Sequence, residues 1–242
     1  MVPAPRLTLT IAVICQKGGV GKSTLASNLA AAAHLSGLRT VILDPDPQGS
    51  LVDWKAKRPS GSRLAGLDVK AVGESLTQSR FLKLTAGYQV AILDGAPRLN
   101  DIARLAAMSS DVALIPLRVG GFNWWASTET LNLLDQVDQA RRVLAIPRPP
   151  LRRVFVLNES LERTRLGQSA LRALEQLGEE APVAIPSRIH YAAAATAGES
   201  VLTFTDRQLP RGIPVGEPPA ASEMWKLWGA LSEPFFGGNV DV

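Results

Sequence analysis

Residues 17–24 read Lys-Gly-Gly-Val-Gly-Lys-Ser-Thr, a composition suited to holding phosphate. Gly18, Gly19 and Gly21 let the backbone turn tightly around Val20 and aim N–H groups at anionic oxygens. Lys22 is placed to reach the β- and γ-phosphates of a nucleotide and the Ser23 hydroxyl to ligate Mg²⁺, so Gly18–Thr24 forms the candidate nucleotide-binding set. The loop departs from the usual pattern: the position where a glycine normally opens it is Gln16, and Lys17 follows. A second long cation beside a polyphosphate site is either simply solvated or neutralises charge on transfer, in cis or from a partner subunit, as arginine fingers do.

Acidic residues fall where such a loop needs them. Asp44 and Asp46 follow the apolar run Arg39–Leu43, and Asp94 follows Val90–Leu93. Ligands of open α/β sheets bind beyond the carboxyl ends of the strands. There a carboxylate can hold Mg²⁺ or its waters, a task open to any of the three beside the Ser23 hydroxyl. Another can orient an attacking water, the role read for Asp46. Gln48 is a second candidate for that role by analogy with the glutamine of small GTPases. His34 and His190 have no ligand cluster around them and read as structural or surface residues.

The elements that must position these groups follow from periodicity. Leu7–Cys15 is apolar and β-branched enough for a strand covered on both faces, and from Ser23 onward Leu25, Ala26, Leu29, Ala30 and Ala33 recur at helical spacing. The glycines thus sit between a strand and a helix, the context a phosphate loop requires. Further strands are expected at Arg39–Leu43, Leu67–Val72, Val90–Leu93, Val112–Ile115, Arg153–Leu157 and Pro182–Ile185. Helices are expected at Glu74–Lys83, Asp101–Met108, Phe122–Val137, Leu166–Leu177 and Tyr191–Ala197, with polar connections at Asp44–Gly49 and Lys57–Gly66. This alternation predicts an α/β fold, a doubly wound, mainly parallel sheet with helices on both faces. Pro210–Pro219 divides a core of residues 1–219 from a C-terminal segment, 220–242. In that segment Met224, Leu227, Trp228 and Leu231 share a helical face suited to packing on the same domain, and Phe235-Phe236 reads as a tail.

Composition narrows the class. A chain of 242 residues with 46% apolar content suits one well-filled domain. The single cysteine, Cys15, excludes an intrachain disulfide and a cysteine-only metal cluster. Met1–Arg6 runs straight into the phosphate-loop strand, so no signal peptide is expected, and no run approaches eighteen uncharged apolar residues. Net charge is only +4, but Arg141–Arg211 holds eleven arginines against seven acidic residues. That segment reads equally as a basic face able to attract nucleic acid and as an ordinary solvated surface.

With these motifs in place, the chain resembles the ParA/MinD group of deviant-Walker ATPases, most of all the short ParA proteins of plasmid partition. The resemblance spans nearly the whole chain. It rests on Lys17–Thr24, on Asp44-Pro45-Asp46-Pro47-Gln48-Gly49, on Val90–Asp94 with Pro97, on Ile115-Pro116 with Phe122–Thr130, and on Ile185-Pro186-Ser187-Arg188. It implies a P-loop ATPase that uses ATP and Mg²⁺ and forms a homodimer with ATP sandwiched between subunits. Lys17 would reach the partner's phosphates and Lys22 would grip its own. Ser23 would ligate Mg²⁺, with Asp44 and Asp94 completing the metal set as carboxylates of the switch and of the ion's water shell, and Asp46 would orient the water. Asn158 would contact adenine. The ATP dimer would bind double-stranded DNA without base readout, with Arg188, Arg207 and Arg211 as candidate phosphate contacts. A small centromere-binding or adaptor protein would stimulate slow hydrolysis, in a cytoplasmic, nucleoid-associated protein that segregates or positions plasmid or chromosomal DNA.

Two departures bear on that transfer. Gly95-Ala96-Pro97 stands where many relatives have a residue and two prolines, and the C-terminal segment lacks the strongly basic amphipathic helix of the membrane-bound branch. Other readings stay open: a positioning ATPase for a protein cargo, a weakly hydrolysing ATP-switched scaffold, or a small-metabolite ligase or kinase. The nitrogenase iron protein and light-independent chlorophyllide reductase share such loops but need cysteines to bridge an iron–sulfur cluster, and Cys15 alone cannot supply the usual pair.

Overall fold

The computed structural model describes residues 8–73, 76–95, 101–118, 121–146, 148–160, 165–176, 180–204 and 219–237, giving backbone only for 121–127, 159–160 and 165–166. The elements follow in the order β1 (Leu9–Val13), α1 (Lys22–Leu35), β2 (Thr40–Asp44), α2 (Ser50–Ala56), β3 (Asp68–Ala71), α3 (Gln78–Thr85), β4 (Val90–Asp94), α4 (Asp101–Ser109), β5 (Val112–Leu117), α5 (Gly121–Val143), β6 (Arg152–Ser160), α6 (Arg165–Gln176), β7 (Glu180–Pro186), α7 (Ile189–Thr196) and α8 (Pro219–Phe236). The seven strands form one sheet in the order β3-β2-β4-β1-β5-β6-β7, and each pairing is parallel. The expected doubly wound architecture is therefore present.

Alternation along the strands builds two cores. Leu9, Ile11 and Val13 of β1 face a cluster with Leu25 and Leu29 of α1, Trp54 of α2, and Met224, Leu227 and Trp228 of α8. Ala12 and the adjoining Ile14 face the opposite cluster, with Phe81 of α3, Ala103 of α4, Leu134 of α5 and Leu174 of α6. Both faces of the central strands are thus dry, which is why their sequences read as continuous apolar runs. α1 lies deepest, with Ala30 to Ala33 inaccessible to solvent. The small side chains allow that close seating against the sheet.

Besides shifted ends of α3, α5 and β6, the structure departs from the sequence expectation at α2, β5 and α8. α2 occupies residues for which no element was expected. Its seven residues carry only Leu51 and Trp54 inward, too few to establish a period. β5 runs on through Pro116, where a ladder donor is missing; β1 pairs with β5 only as far as Leu114, so the proline sits beyond that ladder. α8 continues through Phe235 and Phe236 instead of releasing a tail, although Pro234 lies inside it. Pro234 cannot donate to the Ala230 carbonyl four residues earlier, and Arg152 Nη1 supplies that bond at 2.9 Å. Phe236 packs against the core.

Candidate functional site

The chain leaves β1 at the middle of the sheet and returns to β5 on the other side, with β4 and β2 opposite. This is the point where strand order reverses and where a crevice opens beyond the strand ends. The loop from Gln16 to Gly21 fills it. Gly19 and Gly21 take left-handed backbone angles, φ 71° and 86°. Gly21 is the N-cap of α1 and no side chain caps that helix, so its first-turn amides are left for an anion. Gly95, just after β4, is also required: a Cβ there would lie 2.0 Å from the Val13 carbonyl oxygen.

Around this loop the expected side chains converge. Lys22 is buried, and its Nζ donates to the Lys17 carbonyl at 3.0 Å. Ser23 Oγ donates to Asp94 Oδ2 at 2.5 Å. Asp94 is 4% exposed, and its other oxygen, Oδ1, is buried with no hydrogen-bond partner. Burial pushes the Asp94 carboxyl up to about 7, and the charges of Asp44 and Asp46 add to this, while the Ser23 hydrogen bond and Lys22 oppose it. Asp44 is buried and accepts from the backbone N–H groups of Asp46 and Leu51, each at 3.0 Å. Its carboxyl is also raised, chiefly by burial. Asp46 Oδ1 accepts from the Gln48 amide at 2.9 Å, which holds the turn leading into α2. Lys17 is exposed at the outer rim of the loop.

These residues fit a divalent cation. A hydroxyl bonded to a carboxylate whose second oxygen is buried and unpartnered is a hard, oxygen-only donor set of the type Mg²⁺ prefers. Among the described residues no group of three or more His, Cys, Asp and Glu could hold a metal ion. Mg²⁺ here would keep waters and phosphate oxygens in most of its positions, as it commonly does.

The remaining expected residues are Asn158 and the three arginines. Asn158, expected at the adenine, is 6% exposed and donates Nδ2 to the Val20 carbonyl at 2.6 Å. Arg188 forms a forked ion pair with Glu223 of α8, its Nη2 at 2.5 Å from Oε1, so a phosphate there would have to share that guanidinium. Arg207 and Arg211 lie outside the described residues, as does Pro97. Several described arginines of the Arg141–Arg211 segment have partners within the fold. Arg148 pairs with Asp111, Arg152 with Glu180, and Arg153 with Asp135 and Asp138. Arg141 is buried on the carbonyls of Ala107, Met108 and Ser110.

Two features escaped the sequence reading. Arg118, just beyond β5, donates Nη1 to the Gly19 carbonyl at 3.2 Å; its place after a strand end was the available signal. Behind the loop, Asn28 of α1 accepts from Ser200 Oγ at 2.7 Å and from Val201 N at 2.9 Å, and Trp54 Nε1 of α2 donates to the Glu199 carbonyl at 3.0 Å. Both are contacts between residues far apart in the chain, and no local motif announces them.

A glycine loop between β1 and α1, with carboxylates on the adjoining strand ends at the switch point, defines a nucleotide-binding P-loop protein. The chain belongs to the CobQ/CobB/MinD/ParA nucleotide-binding domain family, whose model matches residues 11–201. It is 31% identical over 213 residues to maintenance of carboxysome distribution protein A of Halothiobacillus neapolitanus, covering 84% of this chain and 91% of that one. It is 27% identical over 221 residues to the chromosome-partitioning ATPase Soj of Thermus thermophilus, covering 79% and 86%. Among solved structures, MinD of Aquifex aeolicus superposes with a TM-score of 0.61 at 16% identity, covering 93% of this chain and 97% of that one.

Proposed function

We propose that the protein is an ATP-dependent dimerising ATPase that positions a large cargo, binding DNA non-specifically in its ATP state. The observation that carries this reading is the convergence on one loop of Lys22, the Ser23–Asp94 pair, Asp44 and Asp46, with a second lysine, Lys17, exposed at the rim.

In this reading the triphosphate lies on the amides of residues 18–24 at the positive end of α1. Lys22 exchanges the Lys17 carbonyl for phosphate oxygens. Ser23 and Asp94, with Asp44 nearby, would hold Mg²⁺, which would supply charge neutralisation for the phosphates. The buried, unpartnered oxygen of Asp94 is the one that would face the cation. Asp46 orients the water. Lys17 crosses to the phosphates of a second copy, so that nucleotide occupancy governs assembly. Asp44 ties the site to α2 through the Leu51 amide, giving the loop at 44–49 a route to the rest of the fold.

The cargo has two readings. Similarity to the chromosome-partitioning ATPase Soj supports DNA segregation. Similarity to the carboxysome distribution protein supports a protein cargo, and the internal pairing of Arg148, Arg152, Arg153 and Arg188 weakens the case for a broad basic face. Either way the chain is an enzyme in this proposal. Single-turnover hydrolysis measured on wild type and Asp46→Ala tests it: the variant should bind ATP yet lose hydrolysis. An Asp46→Ala protein that turns over ATP at the wild-type rate would remove the assigned role, and absence of turnover in the wild type would leave only a passive switch.

A further inference from the structure

The phosphate loop is gripped from behind by the two strands on its far side. Arg118, beyond β5, donates to the Gly19 carbonyl at 3.2 Å, and Asn158, in β6, donates to the next carbonyl, Val20, at 2.6 Å. In a planar trans peptide the C=O and the following N–H point in opposite directions. Fixing the Gly19 and Val20 carbonyls toward β5 and β6 therefore fixes the Val20 and Gly21 N–H groups away from those strands. Asn158 is buried and sits so close to Gly21 that a Cβ at that position would lie 2.1 Å from its Nδ2. With φ 86° at Gly21, both the backbone angle and the neighbour demand glycine there.

We propose that Asn158 and Arg118 are positioning residues that clamp two consecutive peptide planes of the phosphate loop, so that they set affinity for the polyphosphate and not for the base. The inference rests on the nucleotide-binding reading above and deepens it. A preset loop has its amides aimed before the ligand arrives, and the cost of ordering glycine-rich backbone is met in folding and not in binding. Asn158 thereby acts through Val20 and Gly21, and Arg118 through Gly19.

Binding of ATP and of inorganic tripolyphosphate, measured by calorimetry, separates a loop clamp from a base contact. Asn158→Ala should weaken both ligands to a similar extent, on the order of tenfold, the scale of one lost hydrogen bond. Arg118→Ala, at an exposed position, should show the same parallel loss. Asn158→Gln, which keeps an amide donor, should recover part of the affinity, and Asn158→Asp, which has none, should not. Loss confined to ATP, with tripolyphosphate bound as by the wild type, would overturn the clamp and make Asn158 a base contact. Asn158→Gln binding no better than Asn158→Ala would also overturn it, because the donor would then not be what holds the loop. Wild-type protein that binds neither ligand would refute the nucleotide reading itself, and the clamp with it.

Discussion

At the scale of single residues, burial decides how each titratable group behaves. Asp94 is costly as an isolated carboxylate, with an unpartnered buried oxygen and two acidic neighbours, and the proposed cation is what would make that placement favourable. His34, near the end of α1, is the opposite case. Burial lowers its imidazole below the ordinary histidine range and the Arg58 charge adds to this, against the Arg63 carbonyl and Asp68. Its neutral form is therefore the one the fold favours. Its contribution to stability is complete above the unfolded value of about 6.5 and is lost as pH falls through the lower folded value. Thermal unfolding of wild type and His34→Gln between about pH 8 and pH 5 should show the wild type losing more stability on acidification than the variant. Parallel pH profiles would contradict the neutral, structural His34. The sequence reading of His34 as a structural or surface residue needed only the absence of ligand partners. Asn158 was harder, because the contact of its amide with Val20 arises from the pairing of β5 with β6 and leaves no local trace.

Among the elements, strands and long helices were legible because both faces of the sheet are covered, and the apolar runs therefore mark themselves. α2 was not, yet it links the parts. Leu51 N bonds Asp44 at the site, and Trp54 bonds the Glu199 carbonyl in the turn after α7. Gly198 opens that turn with φ 71°, and a Cβ on it would lie 2.5 Å from the backbone of Lys57 and Arg58 at the end of α2. The clash is with main chain and cannot be relieved by a rotamer. Gly198→Ala should destabilise the fold by about 2 kcal/mol or more, from the left-handed angle and the forced separation of α2 from the turn together. Urea unfolding at equilibrium measures this; a change below about 0.5 kcal/mol would mean that the two segments do not pack as tightly as described. The end of α8 was misjudged for a related reason: the bond from Arg152 to Ala230 that lets the helix pass Pro234 joins residues distant in sequence.

For the whole molecule, family membership and the sheet order agree, and the remaining question is what nucleotide state controls. No helix among the described residues is long and apolar enough to cross a membrane. Charge counted along the chain does not record that Arg148, Arg152, Arg153 and Arg188 are paired with carboxylates within the fold. If DNA is the track, anisotropy of random-sequence duplexes should show binding with ATP and not ADP, falling steeply between about 50 and 200 mM salt. Binding indifferent to nucleotide and salt would favour the protein-cargo reading. The central claim is that Lys17 makes ATP a bridge between two copies, and sedimentation with a non-hydrolysable ATP analogue tests it most directly. Wild type should sediment as a dimer, Lys22→Ala should bind the analogue poorly, and Lys17→Ala should bind it but remain a monomer. A Lys17→Ala protein that is fully dimeric with the analogue would contradict the account.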